Sequence, residues 1–85
     1  MNPEAITDAT ASVVASVLGL EGERAELDAS SPLLGEIPEL DSMAIVQLVL
    51  AIEDRFGIEI DGDEITGDVF ETVGSLAAFV APQIP

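Results

Sequence analysis

The run from Met43 to Phe56 constrains this chain more than any other stretch. Ile45, Leu48, Val49, Ile52 and Phe56 recur at three- and four-residue spacing, which puts them on one side of an α-helix. Met43, Val46 and Leu50 form a second apolar stripe beside the first. The helix is therefore apolar around too much of its circumference to be a simple surface helix. Asp41 precedes the run and is a preferred N-cap, which places Ser42 at the first helical position. Glu53, Asp54 and Arg55 begin the polar end, and Gly57 stops the helix.

Two further helices follow from the same periodicity. The first runs from about Glu4 to Leu18, with Asn2 as cap, Pro3 at the first helical position, and Ile6, Ala9, Val13 and Val17 at helical spacing. Ser12 and Ser16 read as ordinary polar-face residues, and Gly19 and Gly22 are stop signals. Thr72 caps the last helix, in which Val73, Leu76, Ala77 and Val80 share a face before Pro82 ends it. Between these helices, Phe56, Ile58 and Ile60 alternate like a strand, but no second strand exists to pair with them, so an extended connector is expected. Asp61-Gly62-Asp63-Glu64 reads as a short helical turn with Glu64 placed for a capping box.

From Leu20 to Leu40 no period is sustained. Ser31-Pro32-Leu33-Leu34 suits one capped turn, while Gly35 and Pro38 oppose anything longer. Leu27, Leu33, Leu34, Ile37 and Leu40 are candidates to pin this loop to the core. The expected fold is all-α: a small bundle of three longer helices plus one short helix, with a long loop between the first two. A single domain over residues 1–85 is expected, because one core is all that 85 residues support.

Composition removes most chemistries. With no His, Cys or Lys there is no Ser-His-Asp triad, thiolate nucleophile, Schiff base or Cys/His zinc site. Asp61, Asp63, Gly67 and Asp68 resemble a calcium loop only superficially, since the sixth and twelfth positions from Asp61 are Thr66 and Thr72. A carboxylate acid/base pair needs a water-poor pocket that so small a bundle scarcely offers. Neither a catalytic residue nor a metal site is expected. Seventeen acids against two arginines give a net charge of −15, which repels nucleic acid and suits basic protein surfaces. A hydrophobic fraction of 48 % is too high for a disordered acidic tail. No apolar run approaches a membrane span, and Glu4 and Asp8 do not suit a signal or transit peptide. A monomeric, cytoplasmic, acidic protein is expected.

One segment stands apart. Pro38-Glu39-Leu40-Asp41-Ser42-Met43 places a serine at the start of a strongly apolar helix, after an acid and a long loop. Backbone N–H groups and the macrodipole there favour an attached anion such as a phosphodiester. Taken alone, Asp-Ser is also an ordinary helix cap.

The dipeptide is not alone. Leu33-Leu34-Gly35, Leu40-Asp41-Ser42-Met43, the run Val46 to Ile60 and Thr72-Val73-Gly74-Ser75-Leu76 resemble acyl carrier proteins in order and spacing, across nearly the whole chain. The attachment motif, normally Asp-Ser-Leu, stands here as Asp41-Ser42-Met43. The resemblance implies a phosphoprotein in which Ser42 carries 4′-phosphopantetheine, transferred from coenzyme A by a phosphopantetheinyl transferase (holo-carrier synthase). An acyl group is then held as a thioester on the arm, in fatty acid, lipid or polyketide-type biosynthesis, and the aliphatic bundle can shelter it. The second helix becomes the recognition surface, with Asp41, Met43, Ala44, Gln47, Glu53 and Asp54 as partner-binding residues. The implied partners are an acyl-loading ligase or acyltransferase and condensing enzymes with basic patches.

Two departures bear on the pathway. Carriers of fatty acid synthesis usually have Gly-Ala before Asp-Ser and acids where this helix has Ala44 and Gln47; this chain has Glu39-Leu40. That points to a specialised stand-alone carrier. Leu40-Asp41-Ser42 also looks like D-alanyl carrier proteins, which keeps an aminoacyl or peptidyl cargo open. The remaining alternative is an acidic helical adaptor without a prosthetic group.

Overall fold

The computed structural model describes residues 2–22, 26–33 and 42–84, with Ser42 described by its backbone. Helix α1 spans Pro3–Leu18, α2 spans Ser42–Phe56 and α3 spans Val73–Val80. α2 and α3 each pack against α1. Among the described residues there is no β-strand, only an isolated antiparallel bridge between Pro32 and Thr72.

α1 begins as its sequence requires. The Asn2 side-chain oxygen accepts from the Ala5 N–H at 2.7 Å, and Pro3 sits where a missing N–H costs nothing. The face turned to the core differs from the expected stripe. Ile6, Thr10, Ala11, Val14 and Leu18 are buried, whereas Ala9, Val13 and Val17 are half-buried flanks. The cause is Thr10, a polar residue that an apolar pattern skips. Its hydroxyl donates to the Ile6 carbonyl at 2.7 Å, so it is buried with its hydrogen bond made inside the helix.

α2 turns its first stripe inward. Leu48 and Ile52 are completely buried, Phe56 is buried, and Ile45 and Val49 are half-buried against the same cluster. Each fully buried aliphatic side chain here stabilises the fold by about 1.5–3 kcal/mol. Gly57, at φ 65°, ends the helix in the left-handed conformation, and the Ile58 N–H returns to the Glu53 carbonyl at 3.1 Å.

Phe56 belongs to the helix, and the extended connector begins after it. Ile58 is buried, and the Ile60 N–H, which has no partner strand, donates to Glu53 Oε2 at 2.8 Å. The short turn at Gly62–Glu64 is a 3₁₀ turn, capped differently from expectation. The Asp61 carboxylate accepts from the Asp63 N–H, one residue short of the capping-box position. A second 3₁₀ turn, Gly67–Phe70, was not anticipated; it buries Val69 and Phe70 beside α3. The capping box lies at α3 instead, where Thr72 Oγ1 accepts from the Ser75 N–H at 3.0 Å and Ser75 Oγ accepts from the Thr72 N–H at 2.9 Å. Val73, Leu76, Ala77 and Val80 all face inward as expected, and Pro82 follows in a 3₁₀ turn, Ala81–Gln83.

The loop before α2 is tied to α3. Over residues 31–33 the expected capped turn is replaced by extended chain. The Val73 N–H donates to the Ser31 carbonyl at 3.0 Å, and the Leu33 N–H donates to the Glu71 carbonyl at 2.9 Å. Leu33 is completely buried and Leu27 half-buried; Leu34, Ile37 and Leu40 lie outside the described residues. At Gly74 the two segments touch closely. Its N–H donates to the Ala29 carbonyl at 2.8 Å, and a Cβ on Gly74 would stand 2.7 Å from that same oxygen.

Gly74→Ala should therefore destabilise the protein by roughly 1–3 kcal/mol, because backbone must shift to admit one methyl. A thermal melt equal to that of the native chain would contradict the contact. A second expectation concerns charge. Eight acids lie between Glu53 and Glu71 with only Arg55 among them, so folding concentrates like charge. Millimolar magnesium at low ionic strength should raise the melting temperature by diffuse screening; no upward shift would contradict the repulsion.

Candidate functional site

α2 begins at Ser42 and runs for 15 residues with no acid in its first turn. Its peptide dipoles sum to about half a positive charge at that end, where the first N–H groups lack intrahelical acceptors. An anion held at the first helical residue is favoured there, and no acid of that turn opposes it. Asp41, the expected cap, lies outside the described residues.

The other serines are placed for different work. Ser12 and Ser16 are exposed on α1, the latter near the negative end of its helix. Ser30 Oγ donates to Asp28 Oδ1 at 2.8 Å, and Ser31 Oγ accepts from the Asp28 N–H at 2.9 Å. Ser75 Oγ, besides accepting in the capping box, has the Val69 and Thr72 carbonyls within 2.9 Å to receive its proton. Ser42 alone among the six serines opens a long α-helix.

Below Ser42 the second apolar stripe of α2 faces outward. Met43 is 67 % exposed, Val46 55 % and Leu50 59 %, so three large apolar side chains line one face down the helix. Gln47 is exposed among them and Asp54 is exposed beyond them. The remaining expected contact residues are less available. Ala44 is half-buried against the core, and Glu53 is half-buried with one oxygen engaged by the Ile60 N–H. Sequence reasoning did not single out Val46 and Leu50 as surface residues. The signal was the surplus itself: more apolar positions than one core-facing side can use.

Two shallow grooves lie elsewhere. One of about 290 Å³ runs between α1 and α2 past Ala9, Val13, Ala51 and Arg55. Another of about 240 Å³ runs between α1 and α3 past Ile6, Gly74 and Ala77. Neither is lined by the first turn of α2. Among the described residues no cluster of acids is arranged to hold a metal ion.

A family model described as the phosphopantetheine attachment site matches residues 8–80. The chain belongs to this family, the acyl carrier proteins. Acyl carrier proteins of Arthrobacter sp. (strain FB24) and Paenarthrobacter aurescens (strain TC1) are each 32 % identical to it over 78 residues, covering 92 % of this chain and 90 % of theirs. A solution NMR structure of a holo acyl carrier protein from Nitrosomonas europaea superposes with a TM-score of 0.82 at 47 % identity, covering 89 % of this chain and 92 % of that one. The carrier bears covalent 4′-phosphopantetheine and is not an enzyme; an adaptor without a prosthetic group is thereby set aside. It works by visiting synthases and other biosynthetic enzymes. No described helix is long and apolar enough to cross a membrane.

The segment leading toward the site is held by Asp28. Its carboxylate accepts from the Ser30 hydroxyl, the Ser30 N–H and the Ser31 hydroxyl, and these bonds hold its pKa below the ordinary 3.8. Because folding lowers this pKa, the turn's contribution is complete above the ordinary value and is lost as pH falls through the folded value. Asp28→Asn should consequently lose less stability on acidification than the native chain does. Identical acid dependence of the two melting curves would contradict this.

Proposed function

We propose that Ser42 is the attachment residue for the 4′-phosphopantetheine arm, and that the arm carries an acyl cargo of lipid or polyketide type. The observation that carries this reading is the position of Ser42 as the first residue of α2, inside the segment matched to the phosphopantetheine attachment family. The bound arm supplies a terminal thiol, which holds the acyl group as a thioester. This chain's own part is electrostatic and positional. The positive end of the α2 dipole favours the phosphodiester, and a rigid helix fixes where the arm begins. The exposed face of Met43, Val46, Gln47 and Leu50 is the surface a phosphopantetheinyl transferase, an acyl-loading ligase or acyltransferase, and a condensing enzyme would meet in turn.

The test of the attachment residue is direct. Incubation with coenzyme A and a promiscuous phosphopantetheinyl transferase should add one arm, mapped by peptide mass to Ser42. Ser42→Ala should abolish the addition. An adduct that survives that substitution would overturn the assignment.

The same face bears on pathway. Residues 42–52, about three turns, carry no charge, and acids return only at Glu53 and Asp54. Electrostatic steering toward basic patches is therefore weak near the arm, which suits a dedicated partner better than the general enzymes of fatty acid synthesis. Gln47 is the exposed neutral position, so Gln47→Glu should restore part of that steering. Elongation by a condensing enzyme of fatty acid synthesis should rise about two- to fivefold at low salt, the size of one exposed ion pair, and less at high salt. Equal rates at low salt would contradict the reading.

A further inference from the structure

The chain has two methionines, Met1 and Met43, and no Cys, Trp, Tyr or His. A mild oxidant therefore has only two readily oxidised side chains to act on, and one of them adjoins Ser42. Met43 is 67 % exposed in the first turn of α2, so its thioether meets solvent without any opening of the fold. It belongs to the outward stripe with Val46 and Leu50, and it is not part of the buried cluster. A change of polarity at Met43 should thus leave the core untouched and alter only what the outward face offers a partner.

We propose that Met43 is a modification site at which a peroxide oxidises the thioether to the sulfoxide, and that this modification weakens docking of the phosphopantetheinyl transferase at the start of α2. The inference rests on the reading of Ser42 as the attachment residue. In the step, a sulfur lone pair attacks one oxygen of hydrogen peroxide, the O–O bond breaks and an S–O bond forms. The other oxygen leaves as hydroxide and takes the proton of the transferred oxygen, becoming water. Sulfur loses two electrons and the peroxide gains them.

The consequence follows from solvation. A thioether buried against a partner's apolar surface loses little on leaving water, whereas a sulfoxide surrenders strong hydrogen bonds to water. The product is also reversible by methionine sulfoxide reductases, so the change can be undone without resynthesis. The position next to Ser42 places this polar group where the transferase must approach to reach the serine.

The experiment uses the apo chain, treated with hydrogen peroxide until one oxygen atom has been added and mapped to Met43. Transfer of the arm from coenzyme A is measured at low carrier concentration, with the melting temperature recorded on the same samples. The treated-to-untreated rate ratio should fall about tenfold, the effect of one poorly paired polar group buried at an interface. The melting temperature should hold, and a methionine sulfoxide reductase should restore the rate. Met43→Leu, compared with its own untreated sample whatever its starting rate, should show a ratio of one. An unchanged rate in fully oxidised native chain would overturn the proposal. So would an equal loss in Met43→Leu, or a loss accompanied by a collapse of the melt. An untreated chain that accepts no arm at Ser42 would instead overturn the attachment reading on which the proposal rests.

Discussion

Helix α2 has more apolar surface than the core can cover, and the rest of the molecule is arranged around that surplus. Its inner stripe, centred on the completely buried Leu48 and Ile52, supplies one wall of the core. Its outer stripe of Met43, Val46 and Leu50 stays in contact with water. Exposed apolar area of this kind costs solubility unless something offsets it. Here the offset is charge elsewhere: 17 acids and two arginines keep the molecule strongly negative while residues 42–52 carry none. The neutral, apolar face thereby lets a partner meet α2 without confronting a carboxylate on residues 42–52.

A working site at the start of α2 also needs the preceding chain held in place. The described portion of that chain is fastened to α3 and the residue before its cap through the Ser31–Val73, Leu33–Glu71 and Ala29–Gly74 contacts. The Asp28 turn sets the path into that fastening, and the Thr72–Ser75 capping box sets the end of α3 to which it is fastened. Among its described residues the loop is thus ordered by polar groups and a glycine, with Leu33 completely buried beside them. The acidic stretch after α2 is ordered the same way, with Glu53 supplying to Ile60 the hydrogen bond that a neighbouring strand would otherwise give.

What the sequence disclosed and what it withheld follow from these same interactions. The three helices were legible because periodicity and local caps agree: Asn2 and Pro3 start α1, and Thr72 starts α3. Ser42 was legible as the first residue of α2 because a long apolar run begins there. The buried face of α1 was read one position off because Thr10 satisfies its hydroxyl within the helix, which no hydropathy pattern registers. The 31–33 segment was misread as a turn because its conformation is set by pairing with residues some 40 positions away. The turn at 67–70 was missed because two buried residues, Val69 and Phe70, are too few to show a period. At the site, identity was easier to read than exposure. The chain showed that α2 had two apolar stripes, but only packing decided which of them faces water.

The central claim is that α2 presents a covalently attached acyl carrier arm at Ser42. The most direct test is the intact mass of the protein isolated from its native source, with fragmentation across residues 41–56. The account predicts one 4′-phosphopantetheine per chain, located on Ser42, with an acyl group on part of the population. A chain bearing no arm, an arm on any other residue, or an amino acid in place of the acyl group would contradict it.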